Sequence, residues 1–132
     1  MRGHIFGKDG LYAASLLVEM LAVTGKPLSQ IVREIFEEFG ELHMAEYDWA
    51  LTEARKQEIS DQIFNKRELP AFDTPITRVS WLDGCKIYLG DDWIIVRFSG
   101  TEPRVRVFAE APTMERAREM VGVMANYLGL AF

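Results

Sequence analysis

Two arginines flank a short polar loop inside an apolar run, in the stretch VRFSGTEPRVRVF at residues 96–108. If this stretch forms a hairpin in which Phe98 pairs with Val105, Arg97 and Arg106 face each other on one side of the sheet. The side-chain roots of directly opposed residues lie about 5 Å apart, and like charges there destabilise the pair. An anion between the two guanidinium groups would resolve this conflict, because both can donate paired hydrogen bonds to a phosphate.

The loop between the arginines carries further groups that suit an anion. Ser99 and Thr101 supply hydroxyls, and Gly100 lets backbone N–H groups approach a ligand closely. Residues 97–106 hold three arginines and one glutamate, which makes this segment positive in a chain whose net charge is −5. An ordinary hairpin with solvated arginines explains the same pattern, since Ser, Gly and Thr are common turn residues. From the spacing alone, both interpretations stay open.

The composition narrows the classes of function. A chain of 132 residues is about the size of one domain. Its negative net charge argues against nucleic acid or an anionic membrane as a partner. A single cysteine, Cys85, excludes an internal disulfide and fits a reducing, cytoplasmic location. The longest mostly apolar run, residues 11–23, is too short to span a bilayer, and one thiol with two histidines argues against a metal site.

Hydrophobic periodicity predicts the elements that position the loop. Helices are predicted at residues 9–24, 26–40, 52–68 and 113–128. Strands are predicted at residues 43–51, 76–82, 85–89, 93–98 and 106–111, with a two-residue Asp-Gly turn at 83–84. Residues 42–132 are therefore expected to form an α+β domain, an antiparallel sheet with helices on one face. The two helices before residue 42 have no strand of their own to cover.

Aromatic residues and the single thiol are assigned to packing. Trp49, Trp81, Trp93 and Tyr88 are predicted to pack in the core or on the sheet, and not to form a stacking platform for bases. Cys85 lies in a predicted strand and is expected to be a small buried hydrophobic residue.

The segment RFSGTEPRVR at residues 97–106 resembles the phosphate-binding loop of the α-D-phosphohexomutases, the phosphoglucomutase and phosphomannomutase family. The family pattern is Arg, any residue, Ser-Gly-Thr-Glu-Pro, two variable residues and Arg. A second segment, RGHIFGKDGLYAASLLVEMLA at residues 2–22, resembles the end of the family's third domain. The resemblance implies a fragment with an added Met1, in which residues 1–41 are the C-terminal tail of domain 3 and residues 42–132 are the complete domain 4.

The resemblance also implies roles for individual residues. Arg97, Ser99, Gly100, Thr101 and Arg106 would bind the non-reacting phosphate of the substrate. Lys8, in the segment that also contains His4, would lie near the reacting phosphate, where it donates to an oxygen or helps proton transfer. Glu102 and Pro103 would shape the loop, and Arg104 would be solvated.

An intact family member would move phosphate between C1 and C6 of a hexose phosphate, through a phosphoserine and a bisphosphate intermediate, with Mg²⁺ as cofactor. The serine, magnesium and sugar loops are not in this sequence, so the chain alone is expected to be inactive and to hold no cofactor. Its expected partners are a hexose phosphate, of glucose or mannose, and the remaining domains of the parent enzyme. Truncation is expected to make the first two helices self-associate. The alternative is a stand-alone phosphate-binding or interaction module without catalysis.

Overall fold

The computed structural model describes residues 7–132, so His4 lies outside the described residues. The chain divides between Glu41 and Leu42 into two compact units. No single helix in the described part is long and apolar enough to cross a membrane. Two consecutive helices, Gly10–Thr24 and Leu28–Phe39, are together long and apolar enough for a membrane span by length and composition alone, but they are bent by 87° relative to each other.

The first unit contains two helices, α1 (Gly10–Thr24) and α2 (Leu28–Phe39). Asp9 caps α1, because its carboxylate accepts a hydrogen bond of 2.9 Å from the Tyr12 amide. Gly25 ends α1 in the left-handed conformation, with φ at 64°. Neither helix contains a buried residue, and Leu11 is 85% exposed. The two apolar helices predicted from the sequence are thus present, with their apolar side chains largely uncovered.

The second unit is built on a five-stranded antiparallel sheet. Its strands are β1 (His43–Ala50), β2 (Arg78–Ser80), β3 (Cys85–Leu89), β4 (Asp92–Phe98) and β5 (Arg104–Ala111). They lie in the order β1-β5-β4-β3-β2. Alternate residues of the strands are buried, as period-two patterning requires. The α+β class predicted from the sequence is confirmed.

Helices cover one face of this sheet. The helix α3 (Glu53–Ser60) begins at Thr52, whose hydroxyl accepts from the Arg55 amide, and α4 (Met114–Tyr127) begins at Thr113 in the same way. Four residues of α4 and Leu128, which directly follows it, are fully buried against the sheet at helical spacing: Ala117, Val121, Met124, Ala125 and Leu128. Each of the larger aliphatic side chains contributes about 1.5–3 kcal/mol by leaving water. The opposite face, called the outer face below, carries charged side chains and several aromatic ones.

An ion cluster joins α4 to the sheet and to the loop before β2. Arg116 donates to both carboxylate oxygens of Asp73 at 2.8 Å and to Asp92 at 3.1 Å. These bonds lower the pKa of Asp73 and raise that of Arg116. The cluster fixes the first turn of α4 against the start of β4.

Three local predictions differ from the structure. The helix predicted at residues 52–68 ends as a π-helical turn, Asp61–Asn65, followed by Arg67 at a φ of 56°. The strand predicted at residues 76–82 is reduced to β2, because the chain after Ser80 bends toward β4 at Gly84. Ser80 pairs with Lys86, so the β2–β3 connection is wider than the predicted two-residue Asp-Gly turn.

Candidate phosphate-binding site

The two arginines lie opposite each other on the outer face, where β4 and β5 meet. Arg97 pairs with Arg106, and the flanking pairs are Val96 with Val107 and Phe98 with Val105. Val96, Val105 and Val107 are completely buried on the helix-covered side. Burial of these valines fixes the register, because a slip by one residue would bring the arginines into the core. The pairing predicted from the sequence is confirmed.

The polar loop between the arginines is held at its base by backbone hydrogen bonds. The Ser99 amide donates to the Arg104 carbonyl at 2.9 Å, and the Leu51 amide donates to the Pro103 carbonyl at 2.7 Å. At the tip, the hydroxyls of Ser99 and Thr101 lie 3.4 Å apart. Gly100 is exposed and has open space where a Cβ would stand. The tip therefore presents two hydroxyls and the exposed Gly100 to solvent, while the Thr101 amide donates to Ser99 Oγ at 3.4 Å.

Each facing arginine has a carboxylate on its far side. Arg97 Nη1 lies 3.1 Å from Asp83 Oδ2, and Arg106 Nε lies 3.8 Å from Asp48 Oδ2. Asp48 is the β1 residue paired with Arg106, so the charges alternate outward as acid, arginine, arginine, acid. The two carboxylates offset the repulsion that the facing arginines would otherwise suffer. An anion between the guanidiniums is therefore not required by charge alone.

Arg104 is 37% exposed, and it makes two ion pairs that the sequence did not predict. Its Nη1 atom lies 2.6 Å from Asp48 Oδ1, and its Nε atom lies 2.9 Å from Glu102 Oε2. Arg104 thus links β1 to the loop, and Glu102 shapes the loop through this contact. A hollow of about 260 Å³ beside these residues is lined by Ala50, Glu102, Pro103 and Arg104.

The remaining predicted residues are distributed over the chain. Lys8 is exposed and belongs to the first unit, while the residues of the loop belong to the second. Cys85 is completely buried, which raises the pKa of its thiol to about 11. On the outer face, Tyr88 and Trp93 are covered by cations: Arg78 lies 3.8 Å from the Tyr88 ring and Lys86 lies 3.5 Å from the Trp93 ring. Packing on the sheet is confirmed for these two aromatic residues.

Two acidic residues of the site were missed by the sequence analysis. Asp48 lies in a strand distant in sequence, and only the pairing of β1 with β5 brings it to Arg106. Asp83 belongs to the Asp-Gly pair that was interpreted as a turn alone. In residues 7–132, no three His, Cys, Asp or Glu side chains come together in a way that could hold a metal ion.

Comparison with known proteins identifies the family. Residues 50–126, more than half of the chain, match the family model described as phosphoglucomutase/phosphomannomutase, C-terminal domain. The chain belongs to the phosphohexomutase family. Residues 1–39 match a second model of this family, its alpha/beta/alpha domain III. The phosphohexomutase C-terminal domain thus contains the whole arginine-flanked loop.

Curated phosphohexomutase relatives match most of this chain. It is 32% identical over 117 residues to a phosphoglucomutase/phosphomannomutase of Thermococcus kodakarensis, covering 87% of the chain and 23% of the relative. It is 36% identical over 126 residues to a phosphoglucosamine mutase of Bacillus subtilis, and the match covers 92% of the chain and 24% of that relative. It is 32% identical over 117 residues to a phosphopentomutase of T. kodakarensis, and the match covers 85% of the chain and 24% of that relative. The chain spans about a quarter of the length of these relatives.

A solved structure supports the phosphohexomutase fold. A crystal structure described as that of a "putative phosphomannomutase" from Thermus thermophilus superposes with a TM-score of 0.65 at 24% identity. The superposition covers 96% of this chain and 23% of that structure. At this level of identity the comparison speaks for the fold alone.

Proposed function

We propose that the second unit binds the phosphate group of a sugar phosphate at the loop between β4 and β5. Arg97 and Arg106 would hold the phosphate oxygens, and Ser99, Gly100 and Thr101 would donate from the loop tip. The observation that carries the proposal is the register that places Arg97 and Arg106 side by side at the root of an exposed Ser-Gly-Thr loop. Guanidinium pairs suit phosphate because each presents a planar set of donors.

The charged groups around the arginines leave room for such a ligand. Among the described residues, each facing arginine has a single carboxylate partner, at 3.1 Å for Arg97 and at 3.8 Å for Arg106. The partners come from the two neighbouring sides of the pair, Asp83 from the β2–β3 connection and Asp48 from β1, so a ligand between the guanidiniums would meet arginine N–H donors. A phosphomonoester is also the group that the names of the three curated relatives share, whereas their sugars differ.

We infer further that this chain acts as the C-terminal part of a sugar-phosphate mutase. Residues 1–41 would be the end of domain 3, and residues 42–132 would be domain 4. Domain 4 would supply the phosphate-binding residues 97–106, called the cradle below, to an active site that other domains complete. Holding the non-reacting phosphate orients the reacting end of the substrate and contributes binding energy to the chemical step. Lys8 would donate to the reacting phosphate. Mg²⁺ would be held by residues outside those described here, and the chain alone would have no mutase activity.

Titration with inorganic phosphate, followed by amide NMR of the whole chain, tests the cradle. Two or three charge-assisted hydrogen bonds are each worth about 1.5–3 kcal/mol, while association costs several kcal/mol. We therefore expect a dissociation constant of about 1 mM, equivalent to roughly −4 kcal/mol. The amides of Ser99, Gly100 and Thr101 should shift first.

Two conservative variants give this titration its control. Arg97→Lys keeps the charge but loses the planar donor set, so phosphate affinity should fall by about tenfold, a loss near the size of one charge-assisted bond. Arg78→Lys changes a cation on the same face that stacks on Tyr88, and it should leave affinity unchanged. Equal effects of both variants, or shifts that avoid the loop, would show that phosphate does not bind between Arg97 and Arg106.

A further inference from the structure

The β2–β3 connection is pressed against the strand that carries Arg97. Gly84 has a φ of 85°, and a Cβ atom at this position would lie 2.4 Å from the Val96 carbonyl oxygen and 2.9 Å from Arg97 Cβ. Real Cβ atoms do not tolerate such distances, so only glycine lets the connection approach β4 this closely. The preceding residue, Asp83, is thereby brought to Arg97 by the backbone, and its carboxylate lies 3.1 Å from Arg97 Nη1.

The charges around the arginine pair balance without any ligand. Three arginines, Arg97, Arg104 and Arg106, contact three carboxylates, those of Asp48, Asp83 and Glu102. A phosphate dianion that binds to Arg97 and Arg106 adds two negative charges to this neutral cluster. Phosphate must therefore compete with a carboxylate that already occupies part of the arginine donor set.

Asp83 and Asp48 differ in how easily they can be displaced. The Asp83 side chain is 74% exposed and contacts a single nitrogen of Arg97. The Asp48 side chain is 35% exposed and lies between two arginines, with its shorter contact, 2.6 Å, to Arg104. An exposed pair with one contact is worth about 0.2–1 kcal/mol, so Asp83 is the carboxylate that an incoming phosphate can replace.

We propose that Asp83 is an intramolecular competitor of phosphate at Arg97. The carboxylate rests on Arg97 when the cradle is empty, leaves when phosphate binds and returns as phosphate departs, which weakens binding and favours release. The inference rests on the function proposed above. Weaker binding would suit a mutase that has to release its sugar phosphate in every turnover, because a cradle that binds too tightly would retain it.

Phosphate titration of Asp83→Asn tests this role, with Asp91→Asn as the matched control. Asp91 is exposed in the turn between β3 and β4, about 20 Å along the strand from Arg97. Both variants remove one negative charge. We expect Asp83→Asn to lower the dissociation constant for phosphate about two- to fivefold, the equivalent of one exposed ion pair, and Asp91→Asn to leave it unchanged. Asp83→Ser serves as a second variant should the first fail to fold.

A spectroscopic signal separates competition from a structural role. The ¹³C resonance of the Asp83 carboxyl group in the unaltered chain should move during the phosphate titration, with the same dissociation constant as the amides of Ser99 and Thr101. If those amides respond but Asp83→Asn binds phosphate no more tightly than the control, the inference is overturned while the proposed function stands. If the loop amides do not respond to phosphate in the unaltered chain, the proposed function is wrong and the inference falls with it.

Discussion

Replacing Gly84 by alanine should destabilise the second unit more than the same change at Gly90. Both glycines flank β3 and have a positive φ, 85° and 69°. Alanine in a left-handed conformation costs about 1–2 kcal/mol at either position. At Gly90 nothing lies within 4 Å of the place that an added methyl would take, whereas at Gly84 the methyl would lie 2.4 Å from the Val96 carbonyl oxygen.

The clash at Gly84 determines how much more unfolding free energy Gly84→Ala should lose than Gly90→Ala. Forcing a methyl group into a packed site costs about 1–3 kcal/mol, because the β2–β3 connection must move away from β4. Gly84→Ala should therefore lower the free energy of unfolding by about 2–5 kcal/mol, and Gly90→Ala by about 1–2 kcal/mol. Val96 is completely buried in the core, so relaxation has to come from the connection.

Urea unfolding followed by tryptophan fluorescence measures this difference. All three tryptophans, Trp49, Trp81 and Trp93, lie in the second unit, so the signal reports on that unit. With a slope of about 1–3 kcal/mol per molar urea, a difference of about 2 kcal/mol moves the midpoint by about 1 M. Equal midpoints for Gly84→Ala and Gly90→Ala would refute the argument that close approach, and not backbone conformation alone, requires glycine at position 84.

Three further outcomes are expected. Arg116 lowers the pKa of Asp73 below its ordinary 3.8, so the stabilisation by this pair is present above about pH 4 and is lost as the pH falls through the lowered pKa. In acid denaturation, Arg116→Met should flatten this part of the stability–pH profile. Arg118→Met, an exposed change on the same helix, should not flatten it. The Cys85 thiol, with its pKa of about 11, should react with a disulfide reagent only at the rate of unfolding, and rapid reaction of the folded chain would contradict its burial. The exposed apolar side chains of α1 and α2 should drive self-association. Sedimentation should therefore show a dimer for the whole chain and a monomer for a chain that starts at Glu41. A dimer that survives this deletion would exclude the two helices as its cause.

The sequence predicted those parts of the site that depend on local alternation. The register of Arg97 with Arg106 follows from the valines around them, which must all face the core. The sequence could not predict the contacts that depend on long-range strand pairing or on side-chain placement. Asp48 reaches Arg104 and Arg106 only through the pairing of β1 with β5, which periodicity cannot reveal. Arg104 was assigned to solvent because it stands at a variable position of the family pattern, whereas its carboxylates come from Glu102 and from the distant strand β1.

Element boundaries failed where tertiary contacts override local propensity. The helical pattern at residues 52–68 continues past Ser60, but the backbone widens into a π-helical turn in which Ile63 stays fully buried. The alternation at residues 76–82 suggests a longer strand than β2, yet Leu82 is 95% exposed, since the connection bends toward β4 at Gly84. Gly84 carried a signal that was interpreted only as a turn.

The strand order has a consequence for how the second unit folds. The strands β2 to β5 form a meander in which each pairs with its sequence neighbour, so their contacts can form early through short loops. The strand β1 comes first in the chain but pairs with β5, the last strand, so its loop closes across nearly the whole unit. We expect β1 to dock late. Until it does, Arg106 lacks Asp48, and the two facing arginines repel each other with Asp83 as their nearby counter-charge, which makes this end of the hairpin a late and salt-sensitive step of folding.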